Sequence, residues 1–230
     1  QFNLGSTVTA LTLTAGTLNI TQANVTIASG GRITRSGATI NEGPTTTNVS
    51  VFYTGATSLV AGPELPASLG TGSLNINMGA ALTTVTVGGN LALSSGQIVV
   101  VQGSPTFNGN VSFTSDGPSG TAVDNQGGGT VTFANAITGA RATTGGAQTT
   151  VLTNGAGVLT LTGGVTGTST FTFGLLNSAG TINVGPGTYA GTVNNNTNLG
   201  TLNLLSSATF SSNKVSNGHA GAVIKLNGFQ

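Results

Sequence analysis

Residues 85–100 read V-T-V-G-G-N-L-A-L-S-S-G-Q-I-V-V. Apolar residues stand two apart, at Val85/Val87, Leu91/Leu93 and Ile98/Val100, and Gly, Asn and Ser fill the gaps between the pairs. A spacing of two puts both side chains on one face of a strand, and the intervening residues are those that make tight turns. The passage is three very short strands joined by corners.

The same text runs through the chain. From Leu11 to Ile40 the leading apolar positions are 11, 18, 25, 33 and 40, separated by seven, seven, eight and seven residues. Seven invites a heptad, but Gly16, Gly30, Gly31 and Gly37 would each cost a helix about 1 kcal/mol, and apolar residues two apart face opposite sides of one. Three such units make a coil of about 21–24 residues, the repeat length of a solenoid whose coils contact only their neighbours. The sequence therefore predicts an all-β fold, a parallel β-solenoid of roughly ten coils, on the order of 50 Å long at ~4.8 Å per strand layer. The alternative is a β-sandwich or antiparallel barrel, because two-residue turns also join hairpins. Those sheets blunt their edges with Lys and Pro, and this chain has only five Lys and Arg and six Pro in 230 residues.

Residues 1–230 are expected to form a single elongated β domain with an irregular Pro-containing insertion near 53–72. There, Gly62-Pro-Glu-Leu-Pro-Ala-Ser-Leu-Gly70 holds two of the prolines and one of the four acids, so it reads as a loop ejected from one coil before strands resume at Leu74. Phe107, Phe113, Phe133, Phe171, Phe173 and Phe210 fall on the inward phase. Inward Asn residues have the geometry to stack as amide ladders.

Composition excludes several functions. Charged residues are 4% of the chain and the net charge is +1, which leaves no basic patch for nucleic acid. No apolar run approaches the ~20 residues of a membrane-spanning helix, and the strands are too short and aromatic-poor for a membrane barrel. Without Cys there is neither a disulfide framework nor a Cys-based metal site. A start at Gln1 with no charged-then-apolar leader suits a mature secreted chain. The Thr/Asn/Gly-rich, Lys/Glu-poor composition agrees with a secreted or cell-surface location.

Gly88-Gly-Asn-Leu-Ala-Leu-Ser-Ser-Gly-Gln-Ile98, Thr12-Leu-Thr-Ala-Gly-Thr-Leu-Asn-Ile20 and Ala179-Gly-Thr-Ile-Asn-Val-Gly185 are similar in style to the repeats of bacterial surface β-solenoids, the autotransporter passengers and filamentous-haemagglutinin-like adhesins. The resemblance implies an extracellular structural or adhesive role. The chain's own residues add a mode of assembly. Gln1-Phe-Asn-Leu4 and Ala222–Phe229 are strand-like and carry no polar cap, so Phe2, Leu4, Val223, Ile224, Leu226 and Phe229 are the candidate assembly residues. A head-to-tail contact that does not close propagates as a fibre, with other copies of the chain as the partner. The expected function is a non-enzymatic subunit of a filament, sheath or adhesive appendage, self-assembling, with surface polysaccharide as a further partner.

Two alternatives stand beside it. Polysaccharide-degrading β-helices need paired carboxylates, or several acids to hold calcium, and the whole supply is Glu42, Glu64, Asp116 and Asp124. His219 stands alone, so no catalytic, cofactor or metal residue is assigned; polysaccharide binding without catalysis leaves no motif. Thr-x-Thr pairs at Thr7/Thr9, Thr12/Thr14, Thr84/Thr86, Thr130/Thr132 and Thr160/Thr162 suggest an ice-binding ladder, although they do not recur at one fixed coil spacing. Asn19, Asn24, Asn48, Asn110 and Asn195 head N-glycosylation acceptor patterns, which arise by chance in so Asn- and Thr-rich a chain.

Overall fold

A computed structural model describes residues 7–19, 25–115, 120–141, 148–168, 170–190, 193–195, 200–210, 215–217 and 220–228, with 148–149 described by backbone alone. Phe2, Leu4, Asp116, His219 and Phe229 lie outside the described residues. The fold is a parallel β-solenoid of about eight turns, with no helix among the described residues. Each turn visits three faces in order. The first carries Thr7–Leu13, Thr26–Arg35, Ser50–Gly55, Leu74–Met78, Ile98–Gln102, Thr121–Asn125, Gln148–Asn154, Phe171–Asn177, Val193–Asn194 and Val215–Ser216, with Thr45–Thr46 also paired to Thr26–Ile27. The second runs from Leu59–Val60 through Val85–Val87 to Thr201–Leu204 and Val223–Lys225, and the third from Ser68–Gly70 through Leu91–Leu93 to Ala208–Phe210. Two early strands, Thr17–Leu18 and Thr39–Ile40, pair only with each other. The first face thus has ten levels, while complete turns are fewer because the earliest levels lack third-face strands among the described residues.

Register holds the core together. On the first face one inward column passes through Leu11, Ile33, Val51, Leu74, Ile98, Val123, Leu152, Leu175, Val193 and Val215, each paired to the next. Partners are as close in sequence as Leu175 and Val193, 18 residues apart, and as distant as Val123 and Leu152, 29 apart. The variation is absorbed at corners, so the inward phase survives it. A one-residue slip within a strand would instead turn its apolar set to solvent.

Aromatic bulk enters where the sequence places it. Phe107 and Phe133 occupy adjacent levels of the second face and stack with ring centroids 4.7 Å apart. Phe171 and Phe173 meet edge to face at 5.3 Å. Gly139 is obligatory beneath them, because a Cβ there would come 2.3 Å from the Phe171 ring.

The Pro-containing stretch departs from its expected shape. Leu59–Val60 and Ser68–Gly70 are regular second- and third-face strands, and the turn between them tucks Glu64 fully into the interior. The reason is Arg35, which the sequence gives no cause to place inside and which is buried one level earlier.

Candidate functional site

The C-terminal coil is where the inward columns lose their cover. Val193 is 1% exposed, and Val215, next in the same column, is 41% exposed. On the second face Val131, Leu159, Ile182 and Leu202 are buried, whereas Ile224, which follows in register, is only half-buried. Leu226 is 54% exposed. On the third face the half-buried Phe210 stacks on the buried Tyr189 at 5.5 Å. Full burial of a Val, Ile or Leu contributes about 1.5–3 kcal/mol, and these partly covered side chains forgo a share of it. Of the candidate assembly residues, Ile224 and Leu226 lie where this coil loses cover, whereas Val223, in register with the outward Thr201, points to the side.

The N-terminal end differs. Leu11, first in the long column, is 5% exposed, and Leu13 is also buried. Beside them lies a recess of about 250 Å³, lined chiefly by Leu11, Leu13, Ala15, Thr17, Leu18 and Ala38. It opens where the first-face strand passes into Thr17–Leu18.

Between the ends, buried polar chemistry falls into two constructions. At the first corner Asn125, Asn154, Asn177, Asn195 and Asn217 form an amide ladder, each Nδ2 donating to the Oδ1 of the next at 2.8, 2.9, 3.0 and 2.9 Å. A buried amide is costly unless all its donors are used. Here the Nδ2 groups also donate to corner carbonyls, Asn154 to Gly157 and Asn177 to Gly180, both at 3.0 Å. The spacing N-x-x-G at 154–157 and 177–180 is the sequence signal for this corner. Its glycine is steric: a Cβ on Gly180 would lie 1.9 Å from the Gly157 carbonyl oxygen. Asn195 is fully buried in this ladder, which removes it as a glycosylation site in the folded chain. A second, outward ladder links Thr160, Asn183, Asn203 and Asn227 with donors pointing the opposite way along the rod.

The second construction is an ion pair. Arg35 Nη1 meets Glu64 Oε1 at 2.5 Å and the Val60 carbonyl at 2.8 Å. The same carboxylate oxygen accepts the Tyr53 hydroxyl at 2.9 Å and the Gly62 amide at 3.0 Å, while Oε2 has no partner in the protein. Burial, and then the neighbouring Glu64 carboxylate, hold the Tyr53 phenol protonated far above the usual range. Fully enclosed, the cluster pins the 61–67 turn and offers no access to a substrate.

Asp124 lies outward on its strand and accepts a hydrogen bond from Gln126 at 2.6 Å. Among the described residues no three His, Cys, Asp or Glu come together as a metal site. The Thr pairs are better ordered than their sequence spacing implies. Thr86, Thr106, Thr132 and Thr160 form one outward column over four consecutive second-face levels. No family model, curated protein or solved structure matches the chain.

Proposed function

We propose that this chain is a non-catalytic structural β-solenoid, a rod segment of an extracellular or cell-surface filament, sheath or adhesive appendage, whose copies join head to tail through their end coils. The observation that carries it is the inward column that stays buried through Val193 and opens at Val215, with Ile224 and Leu226 opening beside it. The surface so presented is the one that every earlier coil covers with another coil of this chain. A second copy is matched to it in periodicity and strand direction. Composition supports the setting outside the cell. Electron microscopy and light scattering of concentrated protein are expected to show linear strings; monodisperse monomers at high concentration would refute assembly.

One observation favours a second activity, ice binding: the registered Thr column, with Thr84 and Thr130 beside it on the same face. Thermal hysteresis and ice-crystal shaping, both abolished by Thr132→Lys, are its expected signatures, and their absence in the unaltered protein ends it.

A further inference from the structure

We infer that the second face meets ice as a flat array two residues wide and six levels long, rather than as a single line of threonines. The inference rests on the ice-binding reading and specifies its surface.

Register supplies a second column that the sequence spacing conceals. Two residues before Thr132 stands Thr130, which pairs with Val158, then Thr181, then Thr201. Thr84 and Ser104, each two residues ahead of the paired Thr86 and Thr106, carry this column back two further levels. The first column continues past Thr160 into Asn183 and Asn203, whose amides tie it together by hydrogen bonds of 3.0 and 2.9 Å. Between the columns Val131, Leu159, Ile182 and Leu202 are buried, so the members on either side of them point outward.

Parallel strands lie ~4.8 Å apart and residues two apart along a strand ~6.6 Å, so the array is a regular grid about 24 Å long. Threonine is stiff about χ1, which holds its methyl and hydroxyl at fixed points of the grid before any partner arrives and spares the cost of ordering them. No member of the array is charged or aromatic. The face therefore lacks the Arg and aromatic anchors of protein interfaces, the cations that nucleic acid requires, and any ring to stack on a sugar. The partner it fits is itself a repeating grid of small hydrogen-bonding groups, the surface layer of ice.

The third face shows the contrast. Its outward Thr138 and Thr166 are also in register, as are Thr188 and Thr209. Beside Thr138, however, stands Ala140, and the strand Val165–Thr166 ends at the column itself, so a second threonine column does not form there.

The test measures thermal hysteresis and ice-crystal shape for Thr132→Lys and Thr181→Lys, one in each column, for Val158→Thr, and for the third-face control Thr166→Lys, with circular dichroism of all four overlaying that of the parent. Thr132→Lys and Thr181→Lys are each expected to lose the activity, and Thr166→Lys to keep it. Val158→Thr, which adds the missing hydroxyl to the second column, should exceed the parent at equal concentration. Loss in Thr132→Lys with full activity in Thr181→Lys would overturn the two-column array and leave single-column ice binding standing. Loss in Thr166→Lys alone would overturn this face and move ice binding to the third. A parent without hysteresis or shaping overturns both the array and the reading beneath it, and its retention on crystalline cellulose or chitin would then assign the face to a polysaccharide.

Discussion

Asn177→Ala removes the centre of the buried ladder. Its known hydrogen bonds go with it: the one accepted from Asn154, and those by which the two Nδ2 hydrogens are shared among Asn195 Oδ1, Gly180 O and Thr201 O at 3.0, 3.0 and 3.1 Å. Their costs differ. Asn154 keeps its bonds to Gly157 and Thr181, and Gly180 O still accepts from the Thr201 amide. Asn195 Oδ1, in a fully buried residue, is left without its donor, at about 1–3 kcal/mol, and the two lost carbonyl bonds add about 0.5–1.5 kcal/mol each. The expected loss is about 3–4 kcal/mol, read as a lower urea midpoint at unchanged slope. Asn183→Ala, in the outward ladder where water replaces the lost partner, should cost about 0.5–1 kcal/mol. Asn177→Asp should be worse than Ala at neutral pH, because a carboxylate without hydrogens faces three acceptors, and the deficit should shrink as acid protonates it. A loss from Asn177→Ala no larger than that from Asn183→Ala would refute the reasoning.

Glu64→Gln leaves the buried Arg35 guanidinium uncompensated and should cost about 3–5 kcal/mol by denaturant unfolding, whereas the apolar pair Arg35→Met with Glu64→Leu should lose less than the single change. Equal losses would show that the charge itself is unimportant there. Alkaline titration should be steep. Tyr53 and Tyr189, the two tyrosines of the chain, both have phenol pKa values raised by burial, so their contribution is intact below about pH 10 and falls as pH rises above it, by about 1.4 kcal/mol per pH unit for each. Phenolate absorbance should therefore be absent until the chain unfolds and then appear for both tyrosines at once; gradual titration of one in the folded protein would contradict this.

The strands were legible because their signal is local. Pairs such as Leu91/Leu93 declare an inward face within three residues, and Gly and Asn declare the corners. Strand direction follows less directly, since a hairpin would use the same short turns; the shortage of edge-protecting charges pointed to stacked parallel coils. The stacking of inward Asn residues was foreseeable in kind, and N-x-x-G marks where. Arg35–Glu64 was not legible. Its partners are 29 positions apart and meet only because one coil carries Arg35 under the next, so a turn rich in Pro and Gly looked ejected when its acid is an anchor. The Thr column was missed for a related reason: coils vary from 18 to 29 residues, and a fixed sequence period hides residues that the register aligns.

The same stacking sets how the rod answers a pull. Its inter-strand hydrogen bonds lie along the long axis, so tension between the ends loads them in opening rather than in shear, and coils should peel one at a time. Each would release 18 to 29 residues, about 60–100 Å of extended chain. Under load such a solenoid should therefore yield in small steps, each set by the length of one coil.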